Sequence, residues 1–290
     1  MKKYKNFMPC IFFAVVLVFL TILTEFVFVT KNVYLNSDTV LKIVEQKEIS
    51  SKLSLHFKSY YTEKYNTTGI PADVYLKVIN EEFINENLNL VIKNNFDFLF
   101  SKEENIKDVI DYKNLEISLN SFFEDYAKSM NYEKDDIYEK KVKESISDAK
   151  TYISSTLDIM QMSTLKKAGL VNKIRSILKY FDILVVVISV ILVIDFIILI
   201  LLNIKSIRYV FYWLASSCLI SSIIVALPLI FAKYTRYFDK FTIKTDHIFH
   251  FVTGYLYNAV DSFLFIQIIT FGFSIILYII FAITNKTKNA

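Results

Sequence analysis

Apolar residues gather along this chain in four long runs, at 7–29, 183–202, 209–232 and 262–283. Each has the length, roughly 20 helical residues, that crosses a hydrocarbon core of about 30 Å. Between the first run and the second the rhythm changes. Over 81–100 the positions Phe83, Ile84, Leu88, Val91, Ile92, Phe96 and Leu99 recur at three- and four-residue steps, forming one stripe on a helix. Leu115, Leu119, Phe122, Phe123 and Tyr126 make a second stripe, and Ile137, Ile146, Tyr152, Ile153, Leu157 and Met160 a third. Strand-like alternation does not occur. The pattern predicts an all-α integral membrane protein: four transmembrane helices, with an extracytoplasmic helical bundle of four or five helices between the first and the second.

The expected layout is a cytoplasmic N-terminus (1–6), a first span (7–29), the helical domain (30–181) and a second span (182–203). A short cytoplasmic loop (204–208), a third span (209–232), an outer loop (233–261), a fourth span (262–283) and a cytoplasmic tail (284–290) follow. The first run starts after Lys2, Lys3 and Lys5 like a signal peptide, but it is too long for an ordinary h-region and no small-x-small cleavage site follows. It reads as an uncleaved signal anchor. Cationic flanks of short loops stay cytoplasmic, and placing both termini inside gives the inner segments seven basic residues and no acidic one. The expected location is the cell membrane, with 30–181 outside. The outer loop, rich in Tyr and Phe from Tyr234 to Tyr257, reads as an interfacial aromatic helix.

Local punctuation sharpens the helical domain. Gly69 breaks one helix, Pro71 suits the first turn of the next, Asn36, Ser37 and Asp38 offer a cap, and so do Asp135 and Asp136. A last helix starting near Leu165 is expected to run through Lys179 into the second span.

Composition excludes several classes. Segment 30–181 holds 22 basic and 23 acidic residues with alternating sign, and the whole chain carries +4, so no basic stripe for nucleic acid is present. Cys10 and Cys218 both fall in apolar runs, so no disulfide staples the helical domain. A Gly-rich phosphate loop, HExxH, a nucleophile elbow and CxxC are all missing. Nothing calls for a cofactor, and a non-enzymatic role is expected.

The run NTTGIPADVYLKVINEEFINENLN, a TGIP followed by valine and an acidic helix, resembles a segment in the extracytoplasmic parts of four-span membrane proteins from low-GC bacteria. Their layout of one span, a helical outer domain and three further spans is also similar. The resemblance implies an architecture and no activity.

Candidate chemistry lies mainly in the spans. Asp195 stands about 10 Å inside its run, counted at 1.5 Å per residue from Leu202, where a carboxyl costs roughly 2.5–3.5 kcal/mol on insertion scales. Ser216, Ser217 and Ser274 fall near the same depth, so a polar layer with Asp195 is geometrically open. That layer reads either as a proton- or ion-responsive site or as hydrogen-bonded glue between spans, and glue is preferred. Glu25 and Gln267, both near the outer ends of their spans, would meet if the first and last helices are neighbours; a Glu25 snorkelling to the interface is the preferred reading. His247 and His250 with Asp261 share a helical row, but a closed metal site needs a further ligand, and metal binding is the weaker reading. The expected partners are the lipid bilayer and either another membrane protein or further copies of this chain. The leading expectation is an accessory subunit whose outer domain binds a partner or senses a signal; the alternative is a small oligomeric channel or transporter using Asp195.

Overall fold

The computed structural model describes residues 7–101 and 104–286. Lys2, Lys3, Lys5 and Lys288, on which the expected orientation partly rests, lie outside the described residues. The described residues form α-helices and turns without a strand: α1 (Phe7–Val29), α2 (Ser37–Gln46), α3 (Ile49–Thr68), α4 (Ala72–Leu76), α5 (Glu81–Phe100), α6 (Lys113–Ser129), α7 (Asp136–Leu157), α8 (Met162–Lys167), α9 (Leu170–Leu202), α10 (Arg208–Tyr234) and α11 (Asp246–Lys286). A π-helical turn, Thr30–Tyr34, extends α1. Four helices are long and apolar enough to cross a membrane: α1 with its π turn, α9, α10 and α11.

The chain divides into two compact units. One comprises residues 1–35, 176–241 and 256–290; the other comprises 36–175 and 242–255. The second is the polar helical unit. Asn36, Asn80 and Asp135 cap α2, α5 and α7 by accepting from the backbone N–H groups of Asp38, Phe83 and Tyr138. Gly69, with φ +71°, closes α3 in the left-handed region that glycine enters without strain, and Pro71 precedes α4. The core is built where the stripes meet: Leu53 and Phe57 of α3, Ile84, Leu88 and Ile92 of α5, Leu115 and Leu119 of α6, and Ile153 and Leu157 of α7 are fully buried.

Three expectations are corrected. Among the described residues the polar unit has seven helices of its own, not four or five, because the short α4 and α8 interrupt the connections. The helix expected from Leu165 begins at Leu170, since Gly169 takes φ +68° after α8; from there it runs without Gly or Pro to Leu202. The segment 233–261, expected as an outer loop, is not an aromatic belt throughout. Ile248, Phe251, Val252 and Tyr255, spaced 3, 1 and 3, form the opening turns of α11 and pack on the core of the polar unit. Gly254 permits that approach: a Cβ there would stand 2.9 Å from Lys47 Cγ and 3.2 Å from Ile43 Cγ2. The fourth apolar helix is therefore 41 residues long, where a span of 262–283 was expected.

In the other unit α1 touches each remaining apolar helix. Cys10, Ala14 and Leu17 share an apolar cluster with Leu199 of α9 and Trp213 of α10. The Ser217 hydroxyl donates to the Ala14 carbonyl at 2.8 Å, a close approach that small side chains allow. Leu20 and Val27 pack with Ile188 of α9, and the Phe26 ring stacks on Phe263 of α11 with centroids 6.2 Å apart. Lys31 and Asp182 form an exposed ion pair at 3.1 Å, a type worth about 0–1 kcal/mol.

Candidate functional site

The best-formed polar constellation within the apolar helices is a trio joining α1 to α11. Glu25 is 8% exposed and faces inward, so it does not snorkel. Gln267 Nε2 donates to Glu25 Oε2 at 2.9 Å, and Thr270 Oγ1 donates to Glu25 Oε1 at 2.6 Å. Helical spacing explains the pairing: residues three apart share a face, so Gln267 and Thr270 reach the two oxygens of one carboxyl. Gln267 is 3% exposed and its Oε1 has no hydrogen-bond partner among the described residues. Thr270 escapes a reading of the sequence because a threonine in an apolar run ordinarily bonds its own helix; its position three residues after Gln267 is the signal that could have found it.

The expected polar layer does not close. Ser217 bonds α1, whereas Ser216 donates back to the Tyr212 carbonyl and lies 2.9 Å from the Tyr278 hydroxyl of α11. Ser274 is buried and donates to the Phe271 carbonyl. Asp195, 3% exposed, has both carboxylate oxygens without a hydrogen-bond partner among the described residues. Near the end of the same helix Asn203 Nδ2 donates to the Leu199 carbonyl at 2.8 Å and lies 3.4 Å from Cys10 Sγ, a buried polar contact that no spacing in the sequence announces.

The three metal candidates go separate ways. His250 Nε2 lies 3.3 Å from Asp246 Oδ1, Asp261 pairs with Lys233, and His247, 3% exposed, packs edge-on to His56 with ring centroids 4.7 Å apart. Among the described residues no three His, Cys, Asp or Glu side chains cluster as a metal site would need. The histidine pair instead continues an aromatic cluster of the polar unit. His56 Nε2 is 3.0 Å from the Tyr152 hydroxyl, and Tyr152 stacks on Tyr60 at 3.5 Å. Burial pushes the His56 imidazole below its ordinary range and the Tyr152 phenol up to about 12. Both are neutral near pH 7, and this cluster acts as packing with one internal polar contact.

The turn joining α6 to α7 shows the reverse imbalance, with apolar side chains facing out. Met130 is 63% and Ile137 59% exposed, with Tyr126 and Tyr132 about half exposed beside them. The rings of Phe123, Tyr138 and Tyr132 follow one another at 6.3 Å, which gives this tip an aromatic floor. No family model, curated protein or solved structure matches the chain.

Proposed function

We propose that this chain is a non-enzymatic subunit of a membrane complex, held in the cell membrane by α1, α9, α10 and α11. Its polar helical unit lies on the extracytoplasmic side and binds a protein partner. The exposed apolar tip between α6 and α7 carries this reading. Met and aromatic side chains that a folded polar unit leaves in water are the residue types enriched where proteins meet. Outside the polar unit, the described connections between apolar helices are short turns, so that unit offers the largest surface for recognition. Its likeness in layout to four-span proteins of low-GC bacteria supports the same architecture, and the seven basic residues of the inner segments support cytoplasmic termini.

Tagged full-length protein extracted in mild detergent is expected to bring down another membrane protein in constant ratio. Replacing Met130 and Tyr132 together by Glu should abolish that recovery. The positions are exposed, so the double variant should stay within about 0.5 kcal/mol per site of the parent's stability. Recovery of the chain alone, or only with further copies of itself, would rule the reading out.

The second reading, a small oligomeric conduit, is favoured by Asp195, whose buried carboxyl lacks a partner among the described residues. Intramembrane ionisable groups mark ion or proton pathways. Asp195→Asn keeps the shape and removes the titrating group. Ion or proton flux through reconstituted protein should then fall by at least about tenfold, with assembly intact, if Asp195 serves a conduit. Unchanged flux, or no flux in the parent, eliminates that role.

A further inference from the structure

Within the polar unit the opening turns of α11 are held along a seam. His247, Phe251 and Gly254 follow one another at helical steps of four and three, and all three are buried. Phe251 joins the apolar core, and Gly254 closes onto Lys47 and Ile43 at the end of α2. His247, at the head of the seam, meets His56 of α3 edge-on with ring centroids 4.7 Å apart. The docking of α11 on the polar unit thus starts at a contact between two imidazoles. The groups around that contact give a proton little support. His56 Nε2 lies 3.0 Å from the Tyr152 hydroxyl of α7, a phenol that stays neutral throughout the acid range. The Asp246 carboxylate stands 3.3 Å from Nε2 of His250, the half-buried histidine one turn further on. The other charge on the seam, Lys47 against Gly254, is itself a cation.

We propose that this seam is an acid-sensitive latch: protonation of the His56 and His247 pair releases residues 242–255 from the polar unit, while the rest of that unit stays folded. Three costs oppose a proton in the docked state and vanish on release. A charged imidazole loses its hydration where His247 is only 3% exposed. Two charged rings at 4.7 Å repel each other. A cation at the second residue of α11 also faces the positive end of that helix. The sign follows: the docked state favours neutral rings, and burial already holds His56 below its ordinary range. Docking is therefore intact above about pH 6.5, the ordinary histidine value, and weakens as the pH falls below it. From Asp246 to Lys286 α11 is one continuous helix, long and apolar enough to cross a membrane, so the latch holds one end of that rod. The proposal does not depend on the protein partner above, which the α6–α7 tip would hold.

The test is hydrogen exchange, read by peptide on the full-length protein in lipid nanodiscs and corrected for the intrinsic pH dependence of exchange. Between about pH 7.5 and about pH 5, protection over 242–255 should fall by about tenfold or more, with α5 and α6 unchanged. His247→Phe keeps a ring of similar size that takes no proton, and it should remove most of the acid loss. His250→Gln, which alters the half-buried histidine beside it, should leave the loss in place. The pH profile is read first on the unaltered chain, so the proposal can fail whether or not a variant folds. Protection over 242–255 that holds to about pH 5 would overturn it. So would an acid loss that α5 and α6 undergo together with 242–255, which is general acid unfolding. An equal loss in His247→Phe, or its disappearance in His250→Gln, would overturn it as well.

Discussion

Phe57→Ala will lower the stability of the polar helical unit by about 3–5 kcal/mol, among the largest losses expected of a single core truncation. Phe57 is fully buried. Its ring is stacked with Tyr61 at 6.4 Å and set edge-on to Tyr152 at 6.0 Å, so neighbours on both α3 and α7 would face the space it leaves. Close-packed surroundings relax only in part, and the residual cavity adds to the lost transfer energy. Hydrogen exchange read by peptide is the suitable measurement. The chain's single tryptophan, Trp213, lies in α10 and reports on the other unit. Protection in α3, α5 and α7 should fall by roughly two to four powers of ten, with α10 unchanged. If these helices keep their protection, Phe57 is not the centre of this core.

Asp158→Ala is the second large effect, at about 2–4 kcal/mol. The carboxyl stands where α7 ends and α8 begins, 6% exposed. Its Oδ1 accepts from Met162 N–H and from Asn95 Nδ2, each at 3.0 Å, and its Oδ2 accepts from Ser163 N–H at 2.8 Å. One side chain thus satisfies the opening N–H groups of α8 and ties that turn to α5. Alanine would strand two backbone donors and the amide of Asn95, itself 1% exposed. Asparagine keeps one acceptor oxygen and should lose about half as much. Faster exchange confined to 159–167 in Asp158→Asn, spreading to α5 in Asp158→Ala, is the expected signature. An alanine variant that melts with the parent would show that water replaces the carboxyl.

How much of this was open to reading follows from the range over which each feature acts. The limits of α1 match the apolar run at 7–29 because lipid exposure and helix propensity act residue by residue. The caps at Asn36 and Asp135 are equally local, and Asn80 carries the same signature, an Asn ahead of two Glu and an apolar stripe. The Asp158 contacts are different in kind. Asn95 lies 63 residues away, and neither side chain advertises the other. The polar layer failed for a rotational reason. Depth along a span is legible from counting, but neighbours in a helix point about 100° apart. Ser216 and Ser217 consequently turn to different helices, while Asp195 meets neither. Residues 242–255 were misread because aromatic side chains suit both an interface and a core; the Ile248, Phe251, Val252, Tyr255 stripe was present but was outweighed by the count of rings.

The Glu25 trio also has a history in time. Gln267 and Thr270 lie 242 and 245 residues after the carboxyl they satisfy. At a synthesis rate of roughly 5–20 residues per second, α1 waits on the order of 10–50 s for them. Throughout that interval the Glu25 carboxyl lacks the two side chains that hold it in the finished fold. Both partners come from the last helix, which makes the arrival of α11 the step that completes the bundle.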